Sequence, residues 1–390
     1  MKLSFQFLLP FLWISLSSQE LLYKWRYIDF DWYCETHKNE YIKKGLYIKN
    51  ASVPIDTLIT NGRIFITIPR SKGVPASLGT LNTQKQNGGG PLVRPYPSWG
   101  WASDIQDCYN TIISVYRVDL DDCGRLWVLD NGKIGEEQKC PPKILAFDLK
   151  TDRLMVRKEI PNKYAFNSNG NGNLVTPLVK TSGKQCEKIT MYMADVEGYG
   201  LVIWRGGNNF QRFDSPDFAA DKTLSNFTLN NDTFYLADGL IGLALYEDEN
   251  KKNSKLYCSS LASYNMYHIS VNSLEQSTDG KINIQQDKGD VDFRKVPLAI
   301  KGNTIFFSSL EDNAIRMWDI NTEFTKKNVK IIKKDNNLLQ FVSGLKILKN
   351  SNNTSKCTTI YGLSNKYQKV ATGTLSLNKI NYQIFKYELN

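Results

Sequence analysis

The sequence predicts an all-β chain that folds as one six-bladed β-propeller over residues 19–390. Three observations support this prediction: a hairpin pattern recurs six times, a further apolar segment precedes each hairpin, and no Pro-, Gly- or Ser-rich linker divides the chain. A propeller blade is a four-stranded sheet that repeats along the sequence at roughly this spacing. The alternatives, a β-sandwich pair or two separate β domains, do not explain a unit that recurs from one end of the chain to the other.

Each hairpin consists of two apolar runs joined by a polar or Gly-bearing connection, the usual signal for two paired strands. The first strands start 49 to 65 residues apart, near Ile64, Leu126, Met191, Leu256, Ile305 and Ile360. The hairpins occupy 62–81, 124–149, 190–204, 255–271, 303–320 and 358–373, and the preceding apolar segments occupy 53–60, 111–119, 173–180, 239–246, 296–300 and 342–348. Near-continuous hydrophobicity in these segments indicates sheets that are covered on both faces. The tail, 381–390, is a candidate for an outer fourth strand that closes the ring.

The first 18 residues are expected to be a cleaved secretory signal peptide. Lys2 precedes an apolar run from Leu3 to Leu16, and small residues follow it, which is the layout of such a signal. A membrane anchor is the alternative, but the run is short for a span of about 20 residues and contains Pro10. No later segment approaches spanning length, so the mature protein is expected to be extracellular, without a membrane span.

Cysteine content, glycosylation sequons and charge agree with export. The chain has seven cysteines, which suit an oxidising compartment. Candidate glycosylation sites are found in five N-x-Ser/Thr sequons, at Asn50, Asn226, Asn231, Asn352 and Asn353. The net charge of +10 comes from scattered lysines and, without a nucleic-acid-binding module, does not predict a nucleic acid partner. Weak attraction to anionic glycans or membranes stays open, as does the oligomeric state.

Several segments resemble the yellow/major royal jelly protein family of insects. They are YKWRYIDFDW (23–32), GVPASLGTL (73–81), GGPLVRPYPSW (89–99), DDCGRLWVLDNG (121–132), ADVEGYGLVIW (194–204), LYCSSLAS (256–263) and LSNKYQK (363–369). The resemblance runs from about residue 23 to about residue 388. It implies a secreted, glycosylated, six-bladed propeller.

The resemblance also implies a set of disulfide staples. One lies within the second blade and one joins the second blade to the third: Cys108–Cys140 and Cys123–Cys186. Cys258 and Cys357 each open the first strand of a later hairpin and are the expected third pair. Cys34 is left over, either free or linked to a partner chain.

Signatures of catalysis and metal binding are weak in this sequence. The two histidines, His37 and His268, do not form a zinc site when the cysteines are used in bridges, and no G-x-S-x-G elbow occurs. Carboxylates gather where strands end: Asp121, Asp122, Asp195, Glu197, Asp238, Glu311 and Asp312. Related six-bladed lactonases hold calcium with such groups, but Asp is also common in turns because its side chain bonds the local backbone. We therefore predict neither a metal nor a cofactor.

The expected binding site is the mouth of the propeller channel, where loops of all six blades meet. Salivary family members of blood-feeding insects bind biogenic amines there, through a Thr in GTDI, an Asn and an aromatic in SNGF, and a Phe in GIFG. The matching positions in this chain are Leu345, Asn365, Tyr367 and Ile241. Asn365 keeps a hydrogen-bonding amide and Tyr367 keeps an aromatic face for a cation, whereas Leu345 lacks the hydroxyl and Ile241 the ring.

Charge bears on which ligand is expected. A protein of this positive charge repels a protonated amine unless the mouth is locally acidic, through Asp195, Glu197 or Asp238. An apolar ligand suits Leu345 and Ile241 at least as well.

The sequence thus predicts a secreted, non-catalytic protein that binds a small molecule, either a biogenic amine or an apolar ligand. A melanin-forming enzyme of the dopachrome-converting type and a nutrient or storage protein are the alternatives; converging carboxylates in the channel would favour catalysis.

Overall fold

A computed structural model describes residues 18–248, 252–277, 280–348 and 358–389. The first elements are β1 (Ser18–Trp25), α1 (Glu35–Lys43), β2 (Asp56–Thr60), β3 (Arg63–Thr67), β4 (Leu78–Asn87), β5 (Gly90–Pro95), α2 (Gly100–Ser103), β6 (Val115–Leu120), β7 (Arg125–Asp130), β8 (Lys133–Ile134), β9 (Glu137–Gln138), β10 (Lys143–Asp148), β11 (Arg153–Glu159) and α3 (Asn162–Ala165). Then follow β12 (Leu174–Ser182), β13 (Lys188–Asp195), β14 (Gly200–Trp204), β15 (Phe210–Asp214), two 3₁₀ turns (Pro216–Phe218 and Lys222–Leu224), β16 (Asn226–Leu229), β17 (Asp232–Tyr235), β18 (Leu240–Tyr246), β19 (Lys255–Ser260) and β20 (Met266–Ser270). The last are α4 (Val271–Gln276), β21 (Ile284–Asp287), β22 (Lys295–Lys301), β23 (Thr304–Ser309), β24 (Ala314–Asp319), β25 (Lys330–Lys334), β26 (Val342–Ile347), β27 (Thr358–Ser364), α5 (Tyr367–Ala371) and β28 (Tyr382–Leu389).

The strands form six four-stranded antiparallel sheets arranged as a β-propeller, as the repeat predicts. The innermost strands, from the first blade to the sixth, are β2, β6, β12, β18, β22 and β26, and each lies in one of the six apolar segments identified in the sequence. Consecutive innermost strands contact one another around the ring, and contacts between β2 and β26 complete the circle.

Each blade is packed on both faces, which explains the near-continuous hydrophobicity of its strands. Separate clusters of buried side chains fill the space between neighbouring blades. Between the first and second blades, for example, Phe65 packs with Val128 and Phe147. A blade removed from the ring would expose two apolar surfaces, so the six sheets are stable only together.

The ring closes differently from the sequence expectation. The tail segment forms β28, which is the third strand of the sixth blade and not the outer fourth strand. The outer strand is β1, from the opposite end of the chain, and it pairs antiparallel with β28 from Ser18 to Trp25. Trp25 is fully buried, and its indole Nε1 donates to the carbonyl of Pro91 in the first blade, 2.8 Å away. The two ends of the chain therefore tie the sixth blade to the first.

The second half of the last predicted hairpin is helical. Residues after β27 turn through Lys366, whose φ of 46° lies in the left-handed region, into α5. The Asn365 side chain accepts a hydrogen bond from the Tyr367 amide, 3.1 Å away. This side-chain bond offers the backbone a turn instead of a continued strand, so the prediction of a strand over 365–373 is wrong.

The structure contains the two disulfides implied by the resemblance, Cys108–Cys140 and Cys123–Cys186. The prediction of a third disulfide, between Cys258 and Cys357, is wrong, because Cys258 is a free and fully buried thiol. Its side chain packs in the cluster between the third and fourth blades, and burial raises the pKa of the thiol. Cys357 lies outside the described residues. Cys34 is free and exposed.

Three of the five sequon asparagines, Asn50, Asn226 and Asn231, are exposed, as glycosylation would require. Asn352, Asn353 and almost all of the expected signal peptide, residues 1–17, lie outside the described residues. Within the described ranges, no helix is both long enough and apolar enough to cross a membrane.

Replacement of Trp25 by Ala is expected to lower the free energy of unfolding by about 3–5 kcal/mol, because it removes the largest side chain at the junction of the two chain ends. Leu21, on the same strand, is 43% exposed, so Leu21→Ala is the control and is expected to cost less than about 1 kcal/mol. Chemical denaturation measures both. Equal losses would contradict the role assigned to the junction.

Alkylation of the unreduced protein tests the cysteine assignment. In the folded protein we expect iodoacetamide to modify Cys34 and to leave Cys258 intact, because Cys258 has no exposed surface. After denaturation without a reductant, Cys258 is expected to react as well. Peptide mapping by mass spectrometry identifies the modified residues, and a Cys258 that reacts only after reduction would restore the disulfide expectation.

Candidate functional site

The six innermost strands surround a channel along the propeller axis. All six run in the same direction, so their first residues meet at one face of the ring and their last residues at the other. We call these the amino face and the carboxyl face. A cavity of about 670 Å³ occupies the channel and is lined by all six inner strands, for example by Arg117, Asp119 and Leu120 and by residues 241–245. A cavity of this size is typical of small-molecule sites.

Arg117 crosses the channel near its middle. From β6 in the second blade its guanidinium donates to the carbonyl of Ser343 in the sixth blade, 2.9 Å away, and to Thr176 Oγ1 in the third, 3.5 Å away. The residue is 5% exposed, and burial lowers the pKa of the guanidinium while Asp56 and Asp238 oppose that change. Arg117 thus separates the carboxyl-face cavity from the region below the amino face.

An acidic and aromatic group of side chains lies on the amino side of Arg117. It consists of Asp238 with Tyr116, Tyr367 and Glu197, and we call it the mouth group. Burial, followed by the charge of Glu197, raises the pKa of Asp238 to about 7. Burial and then the Asp238 charge raise the pKa of both tyrosines. These mutual effects show that the Asp238 carboxylate lies within electrostatic range of both tyrosine hydroxyls.

Asp238 and Glu197 differ in how they are held. Glu197 is ion-paired with Lys133 and accepts a hydrogen bond from Asn173 Nδ2, 2.7 Å away. No residue in the described ranges donates a hydrogen bond to the Asp238 carboxylate, although part of the residue's surface is open to solvent. A poorly solvated carboxylate without a partner favours a proton or a bound cation. Asp238 is therefore the group in the mouth with unused binding capacity.

A hairpin inserted between the third and fourth blades covers the amino face. It is formed by β16 and β17, and Phe234 from it packs against Tyr367 with ring centroids 6.0 Å apart. Asp232 of the same hairpin is ion-paired with Lys369 of α5, at 2.8 Å. The buried apolar residues beneath it come from several blades. This hairpin shelters the mouth group from bulk water.

Two of the four residues that the resemblance assigned to one site, Ile241 and Leu345, line the carboxyl-face cavity. Ile241 also belongs to the buried cluster against which Tyr367 of the mouth group packs. Asn365 is fully buried, and its amide donates both hydrogens, to the carbonyl of Pro54 and to Ser343 Oγ, at 2.9 and 3.0 Å. Asn365 thus ties the sixth blade to the first, and its donors are already used.

The other candidate carboxylates are mainly structural. Four of them form ion pairs with arginines: Asp121 with Arg125, Asp195 with Arg212, Glu311 with Arg294 and Asp312 with Arg316. Asp122 lies on the cavity wall. In the described part of the chain, no group of three or more His, Cys, Asp or Glu side chains is placed to hold a metal ion. The carboxylates therefore do not converge in the way that a calcium-dependent hydrolase requires.

Sequence reasoning missed Arg117 and Tyr116. Both lie in SVYRVD, an inner strand in which a charged residue interrupts an apolar run. That interruption was the available signal, since a charge inside a buried strand needs a specific partner.

The raised pKa of Asp238 predicts how stability depends on pH. Because the folded protein holds the Asp238 proton to about pH 7 and the unfolded chain releases it near pH 4, stability due to this group is present at low pH and is lost as pH rises through 7. Asp238→Asn removes the cost of ionisation. We expect the variant to match the parent protein at pH 5 and to be more stable at pH 8, by on the order of 2 kcal/mol after allowance for partial solvent exposure.

Denaturation at the two pH values measures this difference, with the exposed residue change Glu137→Gln as control. A difference between Asp238→Asn and the parent that does not vary with pH would contradict the assignment.

Comparison with known proteins places the chain in a family. A sequence model described as "Major royal jelly protein" matches residues 113–390. Major royal jelly protein 9 of Apis mellifera is 37% identical over 383 residues, covering 95% of this chain and 88% of the relative. Major royal jelly protein 8 of the same species is 31% identical over 388 residues, covering 96% and 91%.

Solved structures are more distant. A virginiamycin B lyase from Staphylococcus aureus is 12% identical and covers 87% of this chain and 96% of its own, with a TM-score of 0.42, a value too low to support any argument. The sequence matches, by contrast, span the propeller from its first blade to its last. Because these matches cover almost the whole chain, this chain belongs to the major royal jelly protein family.

Proposed function

We propose that this family member is a secreted, glycosylated, non-catalytic protein that binds a small protonated amine in the mouth group. The observation that carries the proposal is the Asp238 carboxylate, which is largely buried, receives no hydrogen bond from a described residue, has a raised pKa and lies within electrostatic range of Tyr116 and Tyr367. A carboxylate next to aromatic faces is the combination that recognises an alkylammonium group, through charge and cation–π contact.

The positive net charge of the chain does not prevent an amine from binding if the mouth itself is acidic. The protein carries +10, which repels cations at long range, but such repulsion between exposed charges is screened beyond about 10 Å at moderate salt. Within the mouth, Glu197 and Glu136 both act on Asp238. A bound ammonium would replace the proton that Asp238 otherwise holds, so binding and deprotonation of Asp238 are linked.

Export is supported by independent features. The first 18 residues have the layout of a signal peptide, two disulfides are present, and three sequon asparagines are exposed. Disulfides of this kind persist in oxidising compartments. We favour binding over catalysis because four of the candidate carboxylates form ion pairs with arginines and Glu197 pairs with Lys133.

Isothermal titration calorimetry with dopamine and serotonin tests the proposal. We expect binding to strengthen between pH 6 and pH 8, because Asp238 becomes ionised over this range while the amines stay protonated. Asp238→Asn is expected to weaken binding about tenfold or more, the usual effect of losing a hydrogen bond to a charged group. Tyr367→Ala is expected to weaken it about threefold to tenfold.

The matched control is Asp122→Asn, the same chemical change in the carboxyl-face cavity, which is expected to leave amine affinity unchanged. Absence of heat at millimolar amine, or equal affinity of the two Asn variants, would remove the amine proposal.

A further inference from the structure

We propose that the carboxyl-face cavity is a second binding site, for a monocarboxylate with an apolar chain. The cavity is distinct from the mouth group because Arg117 crosses the channel between them. It has a volume of about 670 Å³, enough for an organic molecule of considerable size. The proposal does not depend on amine binding.

The inner end of the cavity carries more positive than negative charge. Two cations, Arg117 and Lys346, line it together with one carboxylate, Asp56. Lys346 Nζ lies 2.7 Å from Asp56 Oδ2, so this pair is neutral. Arg117 donates only to the uncharged acceptors Ser343 and Thr176, and its Nε has no acceptor among the described residues. Arg117 therefore has no hydrogen-bonded counter-charge among the described residues, and only the charges of Asp56 and Asp238 act on it, without a hydrogen bond.

A buried unpaired cation is costly, and an anionic group at this position would offset the cost. A carboxylate matches the planar guanidinium and can also accept from an ammonium, so Arg117 and Lys346 together suit one carboxylate head group. A neutral polar head would leave the extra charge unmatched. The positive net charge of the whole chain also favours the approach of an anion.

The walls between this inner end and the carboxyl face combine apolar and charged side chains. The apolar ones include Ile241 and Leu345, with Leu243, Leu298, Ile300 and Ile347 from neighbouring inner strands, and the charged ones are Asp119, Asp122, Lys180, Glu247 and Lys301. Contact with apolar side chains rewards the burial of methylene groups by about 0.8 kcal/mol each. A ligand with its carboxylate near Arg117 would therefore place an alkyl chain against the apolar residues, toward the open face.

Arg117 also has a purely structural explanation. Its contacts with Ser343 and Thr176 join the second, third and sixth blades, so it would act as a brace. A brace requires the contacts with Ser343 and Thr176 only. It predicts no difference between an acid and an alcohol of the same length. The two explanations are thus separable by ligand chemistry.

Titration calorimetry of the full chain with decanoate and with 1-decanol makes the comparison. We expect decanoate to bind and decanol to bind about tenfold or more weakly, since only the acid pairs with the buried cations. Acetate is expected to give no measurable binding, because it buries almost no apolar surface. Equal affinities for decanoate and decanol, or no binding of decanoate, would overturn the proposal.

Variants locate the site. Leu298→Trp and Ile347→Trp place a larger ring in the cavity from two different blades, and either is expected to reduce decanoate affinity about tenfold or more if it folds, as judged by circular dichroism. Glu137→Gln, a change of an exposed residue outside the cavity, is the control and is expected to leave decanoate binding unchanged. Folded Trp variants that bind decanoate like the parent protein would place the ligand elsewhere and refute the assignment.

A competition experiment separates this proposal from the amine proposal. Because the two sites lie on opposite sides of Arg117, saturating decanoate is expected not to displace dopamine. Displacement with a proportional loss of affinity would mean one shared site and would overturn the assignment of a second one.

Discussion

The whole structure depends on the burial of both faces of every blade. Apolar clusters fill each junction between neighbours, so a chain of six sheets must close on itself or leave two large apolar surfaces in water. Closure is achieved by β1 and β28, strands from opposite ends of the chain. Trp25 extends that closure to the first blade. The last blade is therefore complete only when the first described residues are in place.

Closure also creates the channel, and the channel brings together residues that are remote in sequence. Arg117 reaches the third and sixth blades across the axis, and Asn365 ties the sixth blade to the first. These polar contacts lie where the apolar clusters end. They divide the axis into two parts with different chemistry: an acidic, aromatic region under the amino face, and a cavity toward the carboxyl face that contains Arg117 and has both apolar and charged walls.

Membership of the major royal jelly protein family accounts for the fold but not for the chemistry along the axis. Of the four positions matched to amine-binding relatives, two contribute to the cavity wall and one is a buried amide that joins two blades. The fourth, Tyr367, lies within electrostatic range of an unpaired carboxylate. This carboxylate belongs to Asp238, a residue that the resemblance did not match.

The repeat alone determined the fold class, the number of blades and the six innermost strands, because a strand buried on both faces has a local apolar pattern that can be read in the sequence. The resemblance added two of the disulfides. Only the tertiary structure decided that β1 completes the sixth blade, that Cys258 is free, and that Arg117 and Asp238 lie on the axis. Each of these depends on contacts between residues from different blades, and local hydrophobicity carries no information about which distant residue a side chain will meet.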